Sequence, residues 1–383
     1  MKTLADKTQK QQLREVKKYN AKKYREYNKN VKRRRVPESE YLTKMKNPDN
    51  ILEFDNLKTY FYTDVGTVKS VDGVSFDIPR GKTIGVVGES GCGKSVTSLS
   101  VMRLLQGPQG QISGGEIRFN QKSTGRALNL AKASQKEMEK IRGNEISMIF
   151  QEPMTTLNPV FTIGDQLCEC ISLHNPDMSK KAVEDKALET LKLVGIVREG
   201  ILNNYPHELS GGMRQRVVIA MALACDPELV IADEPTTALD VTIQAQILDL
   251  LRDLKNKINA SIMLITHDLG VVAEMADYVV VMYAGRVVEQ GTADEIFHHP
   301  AHPYTIGLMK SRPMLNQKVD RLYSIPGNVP NPINLPEHCY FKNRCGSCTE
   351  ACNGKYPELI SLTKTHKVSC YLHQGTKQTG GEA

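Results

Sequence analysis

Residues 88–95 read Gly-Glu-Ser-Gly-Cys-Gly-Lys-Ser and match G-x-x-x-x-G-K-[ST] in full. That spacing suits phosphate. Gly88, Gly91 and Gly93 free the backbone to wrap closely, so that the N–H groups from Glu89 through Ser90 and Cys92 can turn inward on phosphate oxygens. Lys94 would reach the β- and γ-phosphates, Ser95 would ligate Mg²⁺, and Val96 would carry the contact into the next helix, whose N-terminus adds a positive dipole end. A second cluster is Leu-Val-Ile-Ala-Asp233-Glu234, a buried-type strand ending in two carboxylates. Asp233 is placed for the Mg²⁺ shell. Glu234 is then left to polarise a water as general base. Together the clusters predict hydrolysis of a nucleoside triphosphate.

Such groups need a scaffold that ends several strands side by side. Short apolar runs occur at 83–87, 146–150, 229–232, 262–266 and 279–283. Helical patterns lie between them, at 96–105, 181–194 and 241–258. Strands alternating with helices predict an α/β core with a largely parallel sheet. Segments 51–62 and 71–78 precede the phosphate loop and could form a separate antiparallel layer. No internal repeat is present.

Composition narrows the class. The chain has 383 residues, 40% of them apolar, enough for a real core and too many for one small domain. No run approaches a membrane span, and the first 30 residues are too polar for a secretion signal. A cytosolic chain that meets a membrane through partners or its surface is expected. Residues 1–46 hold 16 Lys and Arg against 5 Asp and Glu, so the net charge of +7 belongs to an N-terminal arm on a mildly acidic body. Leu13, Val16, Tyr24, Tyr27 and Val31 could share one face of a basic amphipathic helix there. That helix could meet anionic lipid, nucleic acid or an acidic partner; the alternative is a solvated tail.

Leu209-Ser210-Gly211-Gly212-Met213-Arg-Gln-Arg, shortly before the Asp233 strand, resembles the signature of ATP-binding-cassette (ABC) ATPases. In that family the element binds the γ-phosphate held by an opposite subunit, so the resemblance implies a site shared across a dimer. Other positions match one by one. Gln151 resembles the Q-loop glutamine that senses Mg²⁺ and the attacking water. Ala238-Leu239-Asp240 resembles the D-loop, and His267 the switch histidine that contacts the γ-phosphate. Phe61, between Tyr60 and Tyr62, resembles the ring that stacks on adenine; the alternative is a packing aromatic.

Phe150 to Gln166, His302 to Pro313 and Ile325-Pro-Gly-Asn-Val-Pro-Asn-Pro resemble the oligopeptide/dipeptide importer ATPases, more the D-type subunit than the F-type. The resemblance covers roughly residues 50–373. Outside it the charged arm is a basic extension over 1–48, and the resemblance implies a nucleotide-binding domain over 49–300 with a helical subdomain at about 155–225, and a C-terminal domain over 301–383. It also implies a related ATPase as heterodimer partner, two transmembrane permeases, and an extracellular solute-binding protein. Peripheral contact at the cytoplasmic membrane face is expected, with no nucleic acid. Glu152 and Pro153 would sit near the coupling contact. Alternatives are a soluble ABC ATPase acting on ribosomes or nucleic acid, a subunit that only binds ATP, and an importer of another solute such as nickel.

Five of the nine cysteines fall late: Cys339, Cys345, Cys348, Cys352 and Cys370. In a cytosolic chain this density suits tetrahedral Zn²⁺ or an iron–sulfur cluster, with free thiols as the alternative. The importer resemblance maps Cys339, Cys345, Cys352 and Cys370 onto ligands of a [4Fe–4S] cluster and leaves Cys348 as a possible substitute. Cys92 is expected to face away from the nucleotide.

Overall fold

The structure, a computed structural model, describes residues 4–33, 35–151, 153–237, 240–311 and 323–374. Glu152, Ala238, Leu239, Pro313 and the last nine residues, over which parts of the sequence reading extend, lie outside the described residues.

Five parallel strands form the centre, in the order Tyr278–Tyr283, Thr83–Val87, Ser261–Ile265, Leu229–Asp233, Ile146–Ile149. Their apolar runs have no polar alternation because helices or strands cover both faces, so nearly every side chain is buried. Arg286–Thr292 adds antiparallel to Tyr278–Tyr283, and Lys367–Val368 and Ile360–Ser361 extend that edge. The anticipated antiparallel layer is present. Asn50–Thr63 and Gly66–Pro79 pair as a hairpin, continued by Gly110–Gln121, Arg126–Asn129 and Leu42–Thr43. This layer shares one apolar core with the parallel sheet, in which Phe54 and Phe76 lie with ring centroids 4.4 Å apart.

The other face of the sheet is covered by helices. Ile163–His174, Lys180–Leu193 and Gly211–Leu223 pool Leu167, Leu191 and Val217 with Ile149, Val230 and Leu264 of the strands. Helix Ile163–His174 starts in a reciprocal cap between Thr162 and Asp165. The helix after the phosphate loop, Lys94–Met102, is shorter than its apolar run through 105 suggests. Arg103 turns left-handed (φ 50°) there, and Arg142 donates to the freed carbonyls of Met102 and Arg103 at 2.7 and 3.2 Å. A distant arginine thus satisfies the carbonyls where the helix ends, earlier than the local apolar pattern suggests.

The C-terminal segment is bound to the sheet by a buried carboxylate. Glu289, fully buried, accepts from the Ala301 and His302 N–H groups at 2.7 and 2.8 Å, and its Oε1 lies 2.7 Å from His366 Nε2.

The basic arm is a helix, Leu4–Val31. The expected apolar stripe is met in part: Val16, Tyr24 and Tyr27 are half-buried, while Leu13 and Val31 are exposed. Asn20 Nδ2 donates to Thr63 O at 2.8 Å, Tyr24 Oη donates to Tyr62 O at 2.6 Å, and the Tyr19 ring meets Tyr62 edge-on. Both acceptors are backbone carbonyls at the end of the Asn50–Thr63 strand, so polar side chains dock the helix there. Two such bonds contribute about 1 kcal/mol each. Replacing both groups (Asn20→Ala with Tyr24→Phe) should speed tryptic cleavage within residues 14–25 by roughly tenfold or more, with the body intact on a gel.

Candidate active site

The strand Thr83–Val87 delivers the phosphate loop to the C-terminal edge of the sheet. A Cβ at Gly88 would stand 2.2 Å from Met282 O, and one at Gly93 2.2 Å from Ser70 O. Their φ angles are +150° and +102°. Both positions therefore demand glycine on two counts. Ser90 and Gly91 are exposed at the outer turn. Lys94 is buried and donates to Gly88 O at 2.7 Å and Glu89 O at 3.2 Å, so its ammonium rests on the loop's own carbonyls. Cys92 is buried within the loop, and burial raises its thiol pKa. Val96 packs against the core. Glu89 departs from the expected inward backbone: its N–H donates to Tyr304 Oη at 2.8 Å and its carboxylate is held by Arg344.

Three neighbouring parallel strands bring the remaining groups together. Ser95 Oγ donates to Asp233 Oδ1 at 3.1 Å. These are hard oxygen donors that suit Mg²⁺. Burial, the largest effect, raises the Asp233 carboxyl above its ordinary pKa, and the Ser95 bond and Lys94 work against it. Glu234 follows at once, with its N–H on Ile265 O at 2.8 Å and φ at +49°. A left-handed glutamate costs roughly 1–3 kcal/mol and is found where the fold over-determines it. Its Oε2 accepts from Gln151 Nε2 at 3.2 Å and from Thr237 Oγ1 at 3.0 Å. Its Oε1 lies 3.3 Å from His267 Nδ1. Gln151, Glu234 and His267, matched separately in the sequence, thus form one cluster. Gln151 contacts Glu234 here rather than Ser95 or Asp233.

Two predicted elements keep to themselves. Ser210 caps helix Gly211–Leu223, accepting from Met213 N at 3.3 Å, with open space beside Gly211 and Gly212 facing Ile243. Asp240 caps helix Val241–Ile258, accepting from Ile243 N at 2.9 Å. Of the three adjacent aromatics, Tyr60 is committed to Asp72 through a 2.5 Å bond, and Tyr62 is buried against Ser113 and the arm. Phe61 is half-buried, with its ring against Gly110.

The late cysteines share a neighbourhood. The Cys339 thiol is pushed up to about 11, mainly by burial, and the thiols of Cys352, Cys370 and Cys345 add to the effect. The expected metal centre is corrected in one respect. Among the described residues no three His, Cys, Asp or Glu side chains converge as a ligand set. The physical reason lies in the thiols' packing. Cys352 Sγ pairs with Thr349 Oγ1, and Cys348 is exposed with its Sγ on Thr349 O, so these two thiols are engaged with Thr349.

Sequence reasoning missed Tyr304 and Arg344 on the loop, and Thr237 on Glu234. Only Thr237, three residues past Glu234, carried a local signal. The raised Asp233 pKa gives a prediction with a definite sign. The ionised carboxylate is the destabilising form, and its burden is full above the raised pKa and relieved as pH falls through it. Asp233→Asn should therefore hold or raise the Tm of the nucleotide-free chain near pH 7 while removing Mg²⁺-dependent ATP turnover.

Comparison with known proteins follows the same outline. The ABC transporter family model matches residues 71–237, and the oligopeptide/dipeptide transporter C-terminal region model matches residues 288–352. The oligopeptide transport ATP-binding protein AppD of Bacillus subtilis is 52% identical over 325 residues, covering 85% of this chain and 97% of that protein. The dipeptide transport ATP-binding protein DppD of the same organism is 50% identical, covering 85% and 95%. Among solved structures, a dimeric bacterial ABC transporter cassette aligns with a TM-score of 0.55 at 26% identity, over 63% of this chain and 98% of its own. The cbiO1 cassette of Clostridium perfringens aligns with a TM-score of 0.55 at 28% identity, over 66% and 92%. The chain belongs to the ABC transporter ATPases, among the ATP-binding proteins of the oligopeptide/dipeptide transporter family.

Proposed function

We propose that this chain is the ATP-hydrolysing subunit of a membrane importer for di- or oligopeptides, working as one half of a cassette pair. The observation that carries the reading is the cluster of Gln151, Glu234 and His267 beside the Ser95–Asp233 pair at one sheet edge. ATP would lie with its phosphates on the N–H groups of Ser90 to Lys94 and its adenine against Phe61, the ring left uncommitted by Tyr60 and Tyr62. Lys94 would exchange the loop's carbonyls for phosphate oxygens. Mg²⁺ held by Ser95 and Asp233 would screen the phosphate charge. Glu234 is the candidate general base, since Asp233 is occupied by Ser95 and the metal. Gln151 and His267 flank its two oxygens and would orient the water and γ-phosphate.

Ser210, Gly211, Gly212 and Met213 make no bond to their own phosphate loop among the described residues. An N-terminal helix end with open space beside its glycines suits a phosphate brought by another subunit. We read Asp240 as a contact to that subunit, and the helices within residues 155–225 as the surface that docks on two permeases. Among the described residues no helix is long and apolar enough to cross a membrane, which fits a subunit held at the membrane by those permeases. Residues 1–48, 49–300 and 301–383 are then an arm, a cassette and a C-terminal unit. Cargo choice would belong to an extracellular solute-binding protein.

The finer reading of the cysteines, a [4Fe–4S] cluster, rests on the donor chemistry and proximity of Cys339, Cys345, Cys352 and Cys370. Such a cluster would act structurally or as a regulator. Assay of iron and labile sulfide after anaerobic purification tests it: about four of each per chain supports it, and none removes it.

Glu234→Gln should lower ATP turnover by about 10²–10⁴-fold while nucleotide still binds, measured by phosphate release and by titration with a fluorescent ATP analogue. Full turnover in that variant would sink the assignment. Purification from gently solubilised membranes should bring down a second cassette ATPase and two polytopic proteins. Recovery of ribosomes instead would overturn the importer reading.

A further inference from the structure

The phosphate loop is gripped from outside the cassette. Arg344 sits on a short turn in the C-terminal segment, next to Cys345, and its side chain is only 5% exposed. Its guanidinium forks onto Glu89, the second residue of the loop, with Nη1–Oε2 at 2.6 Å and Nη2–Oε1 at 2.9 Å. Pro326 O, Ile325 O and Tyr283 Oη accept its other donations at 2.9, 3.3 and 3.3 Å. The Glu89 backbone is held as well, through its N–H on Tyr304 Oη. Lys94 in turn donates to the carbonyls of Gly88 and Glu89. The peptide that Arg344 and Tyr304 anchor is therefore the one on which the phosphate-binding ammonium rests.

We infer that Arg344 is a positioning residue for ATP binding, acting through Glu89. The electrostatics supply the reason. Glu89 puts a carboxylate at the lip of a cradle built for a polyanion. Unpaired, it would repel the β- and γ-phosphates and could draw Lys94 toward itself. A bidentate guanidinium neutralises it and fixes its geometry, which a point charge does less well. The remaining carbonyl acceptors hold the fork in place and keep it from swinging onto the nucleotide. ATP affinity thus depends on a residue of the C-terminal segment that touches neither ATP nor metal.

This inference rests on the loop being the ATP site. The test is the KM for ATP and kcat of the full-length chain, with binding of a fluorescent ATP analogue and thermal unfolding followed in parallel. Arg344→Met, close in volume and uncharged, should raise KM by about tenfold, the scale of one charge contact near a protein surface, and shift kcat much less. Added salt should narrow the gap, because it screens a carboxylate that is partly open to solvent. Arg344→Lys should recover part of the affinity. The decisive variant is the double substitution with Glu89→Gln. Removing the stranded carboxylate should restore KM to within about twofold of the parent, an outcome that loss of mere structural support would not produce. A folded Arg344→Met chain with unchanged KM, or a double variant no better than Arg344→Met, overturns the inference. Should Arg344→Met fail to fold, Arg344→Lys with and without Glu89→Gln reads the same coupling. A parent chain that binds no ATP would sink both the inference and the function it rests on.

Discussion

Parallel strands share a direction, so their C-terminal ends fall along one edge, and here the groups placed for phosphate and Mg²⁺ hang from that edge. Thr83–Val87 ends in the phosphate loop, Ser261–Ile265 in His267, Leu229–Asp233 in Glu234 and Ile146–Ile149 in Gln151. The loop itself tolerates no side chain at Gly88 or Gly93, because neighbouring carbonyls stand within 2.2 Å of where a Cβ would be. Backbone packing thus imposes the cradle's shape before any ligand arrives. The helices and the antiparallel layer exist, in energetic terms, to bury both faces of these strands.

The charge arrangement at that edge follows from burial. Asp233 is deep enough for desolvation to raise its pKa, and only Ser95, Ser98 and Lys94 offset this. A site that strains a carboxylate in this way is poised to gain from a divalent cation. Glu234 bears a different strain, in its backbone, and spreads its two oxygens over Gln151, Thr237 and His267. Adjacent carboxylates in the sequence therefore occupy unlike environments, which is what a metal ligand and a general base require.

Residues placed for the nucleotide are approached from the chain's two ends. The arm helix docks at Tyr62 and Thr63, one residue from Phe61. The C-terminal segment reaches the loop through Tyr304 and Arg344. The C-terminal contacts are made by polar side chains on a loop amide and carboxylate, so they are not visible as an apolar pattern. Of the face that the arm's periodicity predicted, Leu13 and Val31 remain exposed, whereas Val16, Tyr24 and Tyr27 are half-buried and Tyr24 docks through its hydroxyl.

The strand–loop–helix grammar around Gly88–Ser95, the apolar runs of the parallel sheet and the strand-terminal carboxylates were legible from sequence, since each depends on residues close together in the chain. Candidate signature and switch positions were named through resemblance to the ABC family. What needed the tertiary structure is whatever joins residues far apart. That includes the grouping of Gln151, Glu234 and His267, the bond from Arg142 to the helix end at Met102, and the Arg344–Glu89 pair, separated by 255 positions. The cysteines mark the boundary between the two. Their spacing named possible ligands, but where each sulfur points depends on local turns and on Thr349, which no spacing encodes. Local propensity and periodicity write the elements into the chain; the contacts between elements form only once packing has set their distances.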